Sequence, residues 1–141
     1  MSVVRDDNGG MSPAPLPFGY HSVNPYIVVR HASAFITFLV VVFDGKEQSR
    51  ELSADGVIEH ADVLIGDSLV MISEASDRYP ERPSVHFVYV DNVDHVFERA
   101  VANGAAALLA PTDQPWGDRV SGVTDRFGNR WWIATHSRDF T

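Results

Sequence analysis

His60 and Asp62 are the residues whose type and spacing suggest chemistry most directly. Two residues apart on a strand, side chains point the same way, so Asp62 can orient the His60 imidazole as a general base. The plainer alternative is a polar pair that ties neighbouring strands together. No nucleophile accompanies them, because the chain contains no cysteine and no Gly-x-Ser-x-Gly. His21, His31, His95 and His136 show no ligand spacing of the His-Glu-x-x-His kind and are read as surface or satisfied side chains. A second group, Trp116-Gly117-Asp118-Arg119, follows a proline-rich loop. There Arg119 offers a two-pronged clamp for a carboxylate or phosphonate-like anion, and Trp116 a flat wall. A surface turn with Trp116 in the core fits the same residues. Trp131 and Trp132, adjacent in one strand, must face opposite ways.

The elements that carry these residues are written twice. Ala32, Phe35, Ile36, Leu39, Val40 and Phe43 fall at helical spacing, and Val93, Val96, Phe97, Ala100, Val101 and Gly104 repeat it at an offset of 61. Each helix follows a short β-type run, Tyr26 to Val29 and Phe87 to Val90, again offset by 61. After the first helix, Lys46 to Leu52, Val57 to Ile65 and Leu69 to Ser73 read as an antiparallel meander with turns at Asp55-Gly56 and Gly66-Asp67. After the second, Ala106 to Ala110, Arg119 to Thr124 and Arg130 to His136 repeat that order, the last two joined by a turn at Asp125 to Asn129. The expectation is an α+β protein of two β-α-β-β-β modules, residues 20–75 and 84–136, joined by a polar linker 76–83 within one domain, 19–141. Residues 1–18, rich in Gly and Pro, are expected to form a flexible tail. On the Val57 to Ile65 strand, Ala61, Val63 and Ile65 face a helix, while Ile58, His60, Asp62 and Leu64 share the other face. Val40-Val41-Val42 puts apolar groups nearly all round the end of the first helix, which suggests an oligomer contact or a ligand-responsive surface.

Composition narrows the function. At 141 residues the chain has the length of one domain, and its 11 Lys+Arg against 19 Asp+Glu give a formal charge of −8. Lys46 is its single lysine. That argues against nucleic-acid partners, whose binding rests on neutralising phosphates. Nor is a membrane span expected, since the apolar run Phe38 to Phe43 falls far short of about 20 residues. The start carries no apolar signal core and there are no cysteines, so a cytoplasmic location is expected.

Within this frame several blocks occur in order: Pro25-Tyr26-Ile27-Val28-Val29, His60-Ala61-Asp62, Ile65-Gly66-Asp67-Ser68, Val90-Asp91-Asn92-Val93-Asp94, Trp116-Gly117-Asp118-Arg119 and Asp125-Arg126-Phe127-Gly128-Asn129-Arg130-Trp131. Over residues 20–136 the chain resembles the vicinal oxygen chelate superfamily of glyoxalases, extradiol dioxygenases and bleomycin-resistance proteins, and within it the PhnB-like branch. The resemblance implies that the two modules curl into an open mixed sheet with helices outside, and that the protein forms a homodimer with cavities near the interface. In the metalloenzymes of this superfamily the first and last strands of each module carry metal ligands. Here those positions fall on Asn24, Val70, Val85 and Trp132. Valine and tryptophan side chains do not ligate divalent ions, so no metal or other cofactor is expected. His86 stands one residue from the third position, and strand parity turns it toward the helices. In the same frame Trp132 joins Tyr26, Phe87 and Tyr89 as an aromatic pocket, with Asn24, Trp116 and Arg119 as further ligand contacts. The expected function is metal-free binding of a small, partly aromatic or amphipathic molecule. The alternative is a lyase-, isomerase- or oxygenase-type enzyme, metal-dependent or metal-free, with His60 as general base or ligand and Asp62 beside it.

Overall fold

A computed structural model describes residues 3–5, 11–13, 15–17 and 19–137. At the N-terminal end β1 (Val3–Arg5) pairs antiparallel with β2 (Met11–Pro13), and the rest of the expected flexible tail lies largely outside the described residues. The first module runs β3 (Tyr26–Val29), α1 (Ala32–Phe43), β4 (Lys46–Leu52), β5 (Ile58–Ile65) and β6 (Ser68–Glu74). The second runs β7 (Val85–Tyr89), α2 (Val93–Ala102), β8 (Ala106–Asp113), β9 (Asp118–Thr124) and β10 (Arg130–His136). The written repeat is therefore a structural one: the sheets have the orders β3-β6-β5-β4 and β7-β10-β9-β8, so corresponding strands occupy corresponding places. In each, the first strand lies parallel to the last, which the intervening helix makes possible, and the other pairings are antiparallel. The two sheets remain separate and open.

The helices form for different reasons. α2 is capped partly from within: the Asn92 side chain accepts from the His95 amide, Asp94 sits in the first turn and Arg99 in the last, where each charge suits the helix dipole, while Thr135 on β10 accepts from the Val93 amide. α1 has no such local help. Its N-cap His31 is in the left-handed conformation with φ 64° and makes no side-chain cap. The Glu74 carboxylate arrives from β6 instead, accepting from the His31 and Ala32 amides at 2.9 and 2.8 Å. The helix is held by packing, with Phe35, Leu39 and Val42 fully buried. Val40, expected in the buried stripe, is instead exposed with Val41, because the stripe runs through Phe38 and Val42.

One apolar core spans both modules and takes in the helix-facing sides of both sheets. Phe127, from the turn before β10, meets Phe35 and Phe38 of α1 edge-on, and Trp131 meets Phe43. That turn is built by Asp125, whose Oδ1 accepts from the Phe127 and Asn129 amides and whose Oδ2 accepts from Trp131 Nε1 at 2.8 Å. With both helices committed to this core, the opposite face of each sheet is free of helices.

Candidate functional site

On the helix-free face of the first sheet, β5 presents His60 and Asp62. His60 Nε2 lies 2.9 Å from Asp62 Oδ1, and Ser49 Oγ on β4 donates to Asp62 Oδ2 at 3.0 Å. The Tyr20 hydroxyl also hydrogen-bonds to Asp62, and burial together with this carboxylate pushes the phenol up to about 12. The Asp62 carboxylate thus gathers three side chains and fixes His60. Across the sheet Tyr26, half exposed, donates to Ser73 Oγ at 3.1 Å, and its ring centroid is 6.4 Å from that of His60. Tyr26, Val28, Val57, Ser73 and Tyr79 line a cavity of about 670 Å³ that uses the linker as one wall. His60 and Asp62 are not part of that lining, although His60 neighbours Tyr26.

Ile58, expected to share the face of His60, is in the core. The pairing of β5 with β4 shifts between Ile58 and His60, and that irregularity reverses the side-chain alternation. Asn24 is also placed differently from its expected role: its Oδ1 accepts from the His21 amide and its Nδ2 donates to the His21 carbonyl, so both ends of the amide close a local turn.

The second sheet offers a more aromatic face. Phe87 and Tyr89, alternate residues of β7, lie with ring centroids 5.3 Å apart and are 50% and 60% exposed. Beside Phe87 in the sheet is Trp132 on β10, and on its other side is Gly122 on β9. The Trp132 ring covers Gly122 so closely that any side chain there would collide with it. At the end of this face is the buried carboxylate of Asp118. It accepts from Tyr89 Oη at 2.8 Å and Trp116 Nε1 at 3.0 Å on one oxygen, and lies 2.8 Å from His136 Nδ1 on the other. These partners, His136 foremost, hold the Asp118 carboxyl below its ordinary range, and the hydrogen bond from Tyr89 to this carboxylate raises the Tyr89 phenol.

Asp118 and His136 form a second His–Asp pair that the sequence reading did not assign to the site. They are directly opposed in the β9–β10 hairpin, in which Thr124 opposes Arg130. Counting outward from the turn would have paired them. Arg119 does not join this face. It turns toward α2, where Nε and Nη2 each donate to Asp94 at 3.1 Å and Nη1 donates to Asp113 at 3.3 Å. Its fork is occupied by two carboxylates, which leaves no clamp for a ligand anion in the expected place.

The family metal positions can be tested against this geometry. Val70 packs in the core, and β6 turns Leu69, Met71 and Ser73 to the helix-free face. Val85 and Trp132 bring no donor, and the Asn24 amide is engaged. His86 faces the helix side, with its ring 4.7 Å from that of Trp131 and its Nε2 2.7 Å from Ser84 Oγ. Burial lowers its pKa, against the opposing pull of Asp125. Among the described residues no group of three or more His, Asp or Glu is placed to hold a metal ion. The donor set does not fit a divalent cation.

Two four-stranded open sheets of matching topology, each with a helix on one side and aromatic side chains on the other, define a paired-module α+β protein. The chain belongs to the Glyoxalase/Bleomycin resistance protein/Dioxygenase superfamily, whose profile matches residues 19–133. An uncharacterized protein of Mycobacterium bovis is 32% identical over 132 residues, covering 84% of this chain and 85% of its own. Among solved structures, TioX from Micromonospora sp. ML1 superposes with a TM-score of 0.66 at 28% identity, covering 82% of this chain and 99% of TioX. The PhnB protein of Bacillus cereus shares the fold at the same TM-score, 0.66, with 16% identity and coverage of 82% and 99%.

Proposed function

We propose that this protein binds a small, partly aromatic or amphipathic molecule on its helix-free faces, without a metal centre, as a homodimer in the cytoplasm. The observation that carries the reading is the set of large aromatic side chains, Tyr26, Phe87, Tyr89 and Trp116, each about half exposed on faces that also hold anchored polar groups. Apolar area of this kind on a folded protein marks a surface that something else covers. A planar ligand suits it, because offset stacking on aromatic rings adds to simple burial. Saturable quenching of Trp116 and Trp132 fluorescence by a panel of planar aromatic compounds, lost in Phe87→Ala, is the expected result. No quenching by any compound, or quenching unchanged in Phe87→Ala, contradicts it.

The donor set also predicts the response to metals. Titrating chelator-treated protein with Mn, Fe(II), Co, Ni or Zn ions should leave thermal unfolding unchanged. A native-state ligand at about 1,000 times its dissociation constant would add roughly 4 kcal/mol. A second reading, enzymatic, is favoured by the His60–Asp62 pair, in which an anchored carboxylate holds the imidazole at 2.9 Å. Turnover of a bound compound that disappears in His60→Ala would establish it.

A further inference from the structure

The cavity of about 670 Å³ in the first module holds a hydrogen-bond donor that the binding of a flat ring leaves unused. Tyr26 and Tyr79 give its wall two aromatic rings, Val28 and Val57 aliphatic surface, and Ser73 a hydroxyl. Ser73 lies in β6 opposite Val28 of β3 and is only 8% exposed. Tyr26 Oη donates to Ser73 Oγ at 3.1 Å, and no described residue accepts from Ser73 in turn. Two hydroxyls that share one hydrogen bond have two hydrogens between them, so one is left over in the cavity wall. A buried donor left unmet is costly, and an acceptor brought to it relieves that cost. Ser53 and Ser76 also line the cavity, but they are less buried and water can take their hydrogens.

The charges around the cavity favour neither sign of ligand. Glu59 and Glu74 are in its lining. Both Glu74 oxygens already accept from the His31 and Ala32 amides at the start of α1, which spends much of that charge. Glu59 is exposed, and the Arg78 guanidinium, 5.4 Å from the centroid of the Tyr79 ring, opposes it. Recognition at Ser73 therefore falls to an uncharged acceptor.

We propose that this cavity takes an uncharged aryl carbonyl compound, a ketone, amide or lactone, whose ring packs on Tyr26 and Tyr79 and whose carbonyl oxygen accepts from Ser73 Oγ. The inference rests on the binding of a partly aromatic molecule proposed above and names the functional group that the first sheet selects. Aromatic contact supplies affinity, and the single buried donor supplies the choice of group.

The test is an amide chemical-shift titration of the full chain with 2-acetylnaphthalene and with 2-ethylnaphthalene, which match in shape and differ in the carbonyl. Both should give saturable shifts in the amides of Val57, Glu74 to Ser76 and Tyr79, and both should weaken in Tyr79→Ala, a change at an exposed position. Ser73→Ala should weaken the ketone about fivefold more than the hydrocarbon. The infrared carbonyl stretch of the ketone bound to the parent should lie below its value in hexane, a reading that decides even where Ser73→Ala does not fold. The proposal is overturned if Ser73→Ala weakens both compounds alike or neither, if the bound stretch equals that in hexane, or if 2-naphthoate binds more tightly than the ketone. Shifts that centre on Phe87, Trp116 and Trp132 overturn it and leave the binding of an aromatic molecule standing. The absence of saturable shifts anywhere with either compound removes both.

Discussion

Asp118 and His86 respond to acid for different reasons. The Asp118 carboxyl is held low by His136, Tyr89 and Trp116, so its pKa in the folded chain lies below that of the unfolded chain. Its contribution to stability is therefore complete above about pH 4 and is lost as pH falls through the lower folded value. Asp118→Asn should unfold more easily at neutral pH and show a flatter stability curve below pH 4, as read by urea midpoints across a pH series. His86 is a base whose pKa burial has lowered. Below its free value of about 6.5 the unfolded chain takes up a proton that the folded chain resists, so stability falls as pH drops through that range. His86→Gln should lose less stability than the parent between pH 7 and 5.5 in the same series. Gly122 answers to shape rather than charge: Gly122→Ala forces the Trp132 ring to move, at about 1–3 kcal/mol by urea unfolding, with a change in tryptophan emission. At this scale the sequence was legible where partners are near in the chain. His60 and Asp62, two residues apart, could be paired by parity alone. Arg119 could not be read, because its partners Asp94 and Asp113 come from α2 and β8.

Whole elements were legible wherever one face is buried and the other is not. The count along β7 and β10 put Phe87, Tyr89 and Trp132 on one face and His86 and Trp131 on the other, which is how the sheet places them. β6 defeated the same count. Leu69, Val70, Ile72 and Ser73 are all buried, so alternation leaves no contrast to read, and Val70 was assigned to the wrong face. On β5 the shifted pairing with β4 carried Ile58 into the core, and a pairing irregularity of that kind has no sequence signal here. The helix ends differ in the same way. Asn92 announces α2 from the residue before it, whereas the carboxylate that serves α1 is in another strand. Glu74→Gln, which keeps the shape but weakens the acceptor, should cost about 1–2 kcal/mol in urea unfolding, as should Asn92→Ala.

At the scale of the molecule, the repeat of 61 residues was enough to foresee two modules of one design, and the structure shows two open sheets of matching order. How the modules meet was not foreseeable, since Phe127 reaches α1 across the chain. No helix is long and apolar enough to cross a membrane among the described residues. The exposed Val40 and Val41 of α1 predict self-association: sedimentation should give about twice the 15.6 kDa of one chain, and Val41→Ser should shift the equilibrium toward single chains. The remote carboxylate on α1 also orders events in time. Asn92 serves the His95 amide of α2 from three residues away, though the Val93 amide waits for Thr135 on β10, whereas no local side chain serves α1, whose His31 and Ala32 amides wait for Glu74 on β6, more than forty residues downstream. Part of the first turn of the second module's helix can thus form from local contacts early in folding, whereas that of the first module's helix must wait wholly for a long loop to close. Glu74→Gln should accordingly speed unfolding and leave the refolding rate nearly unchanged, while Asn92→Ala should slow refolding.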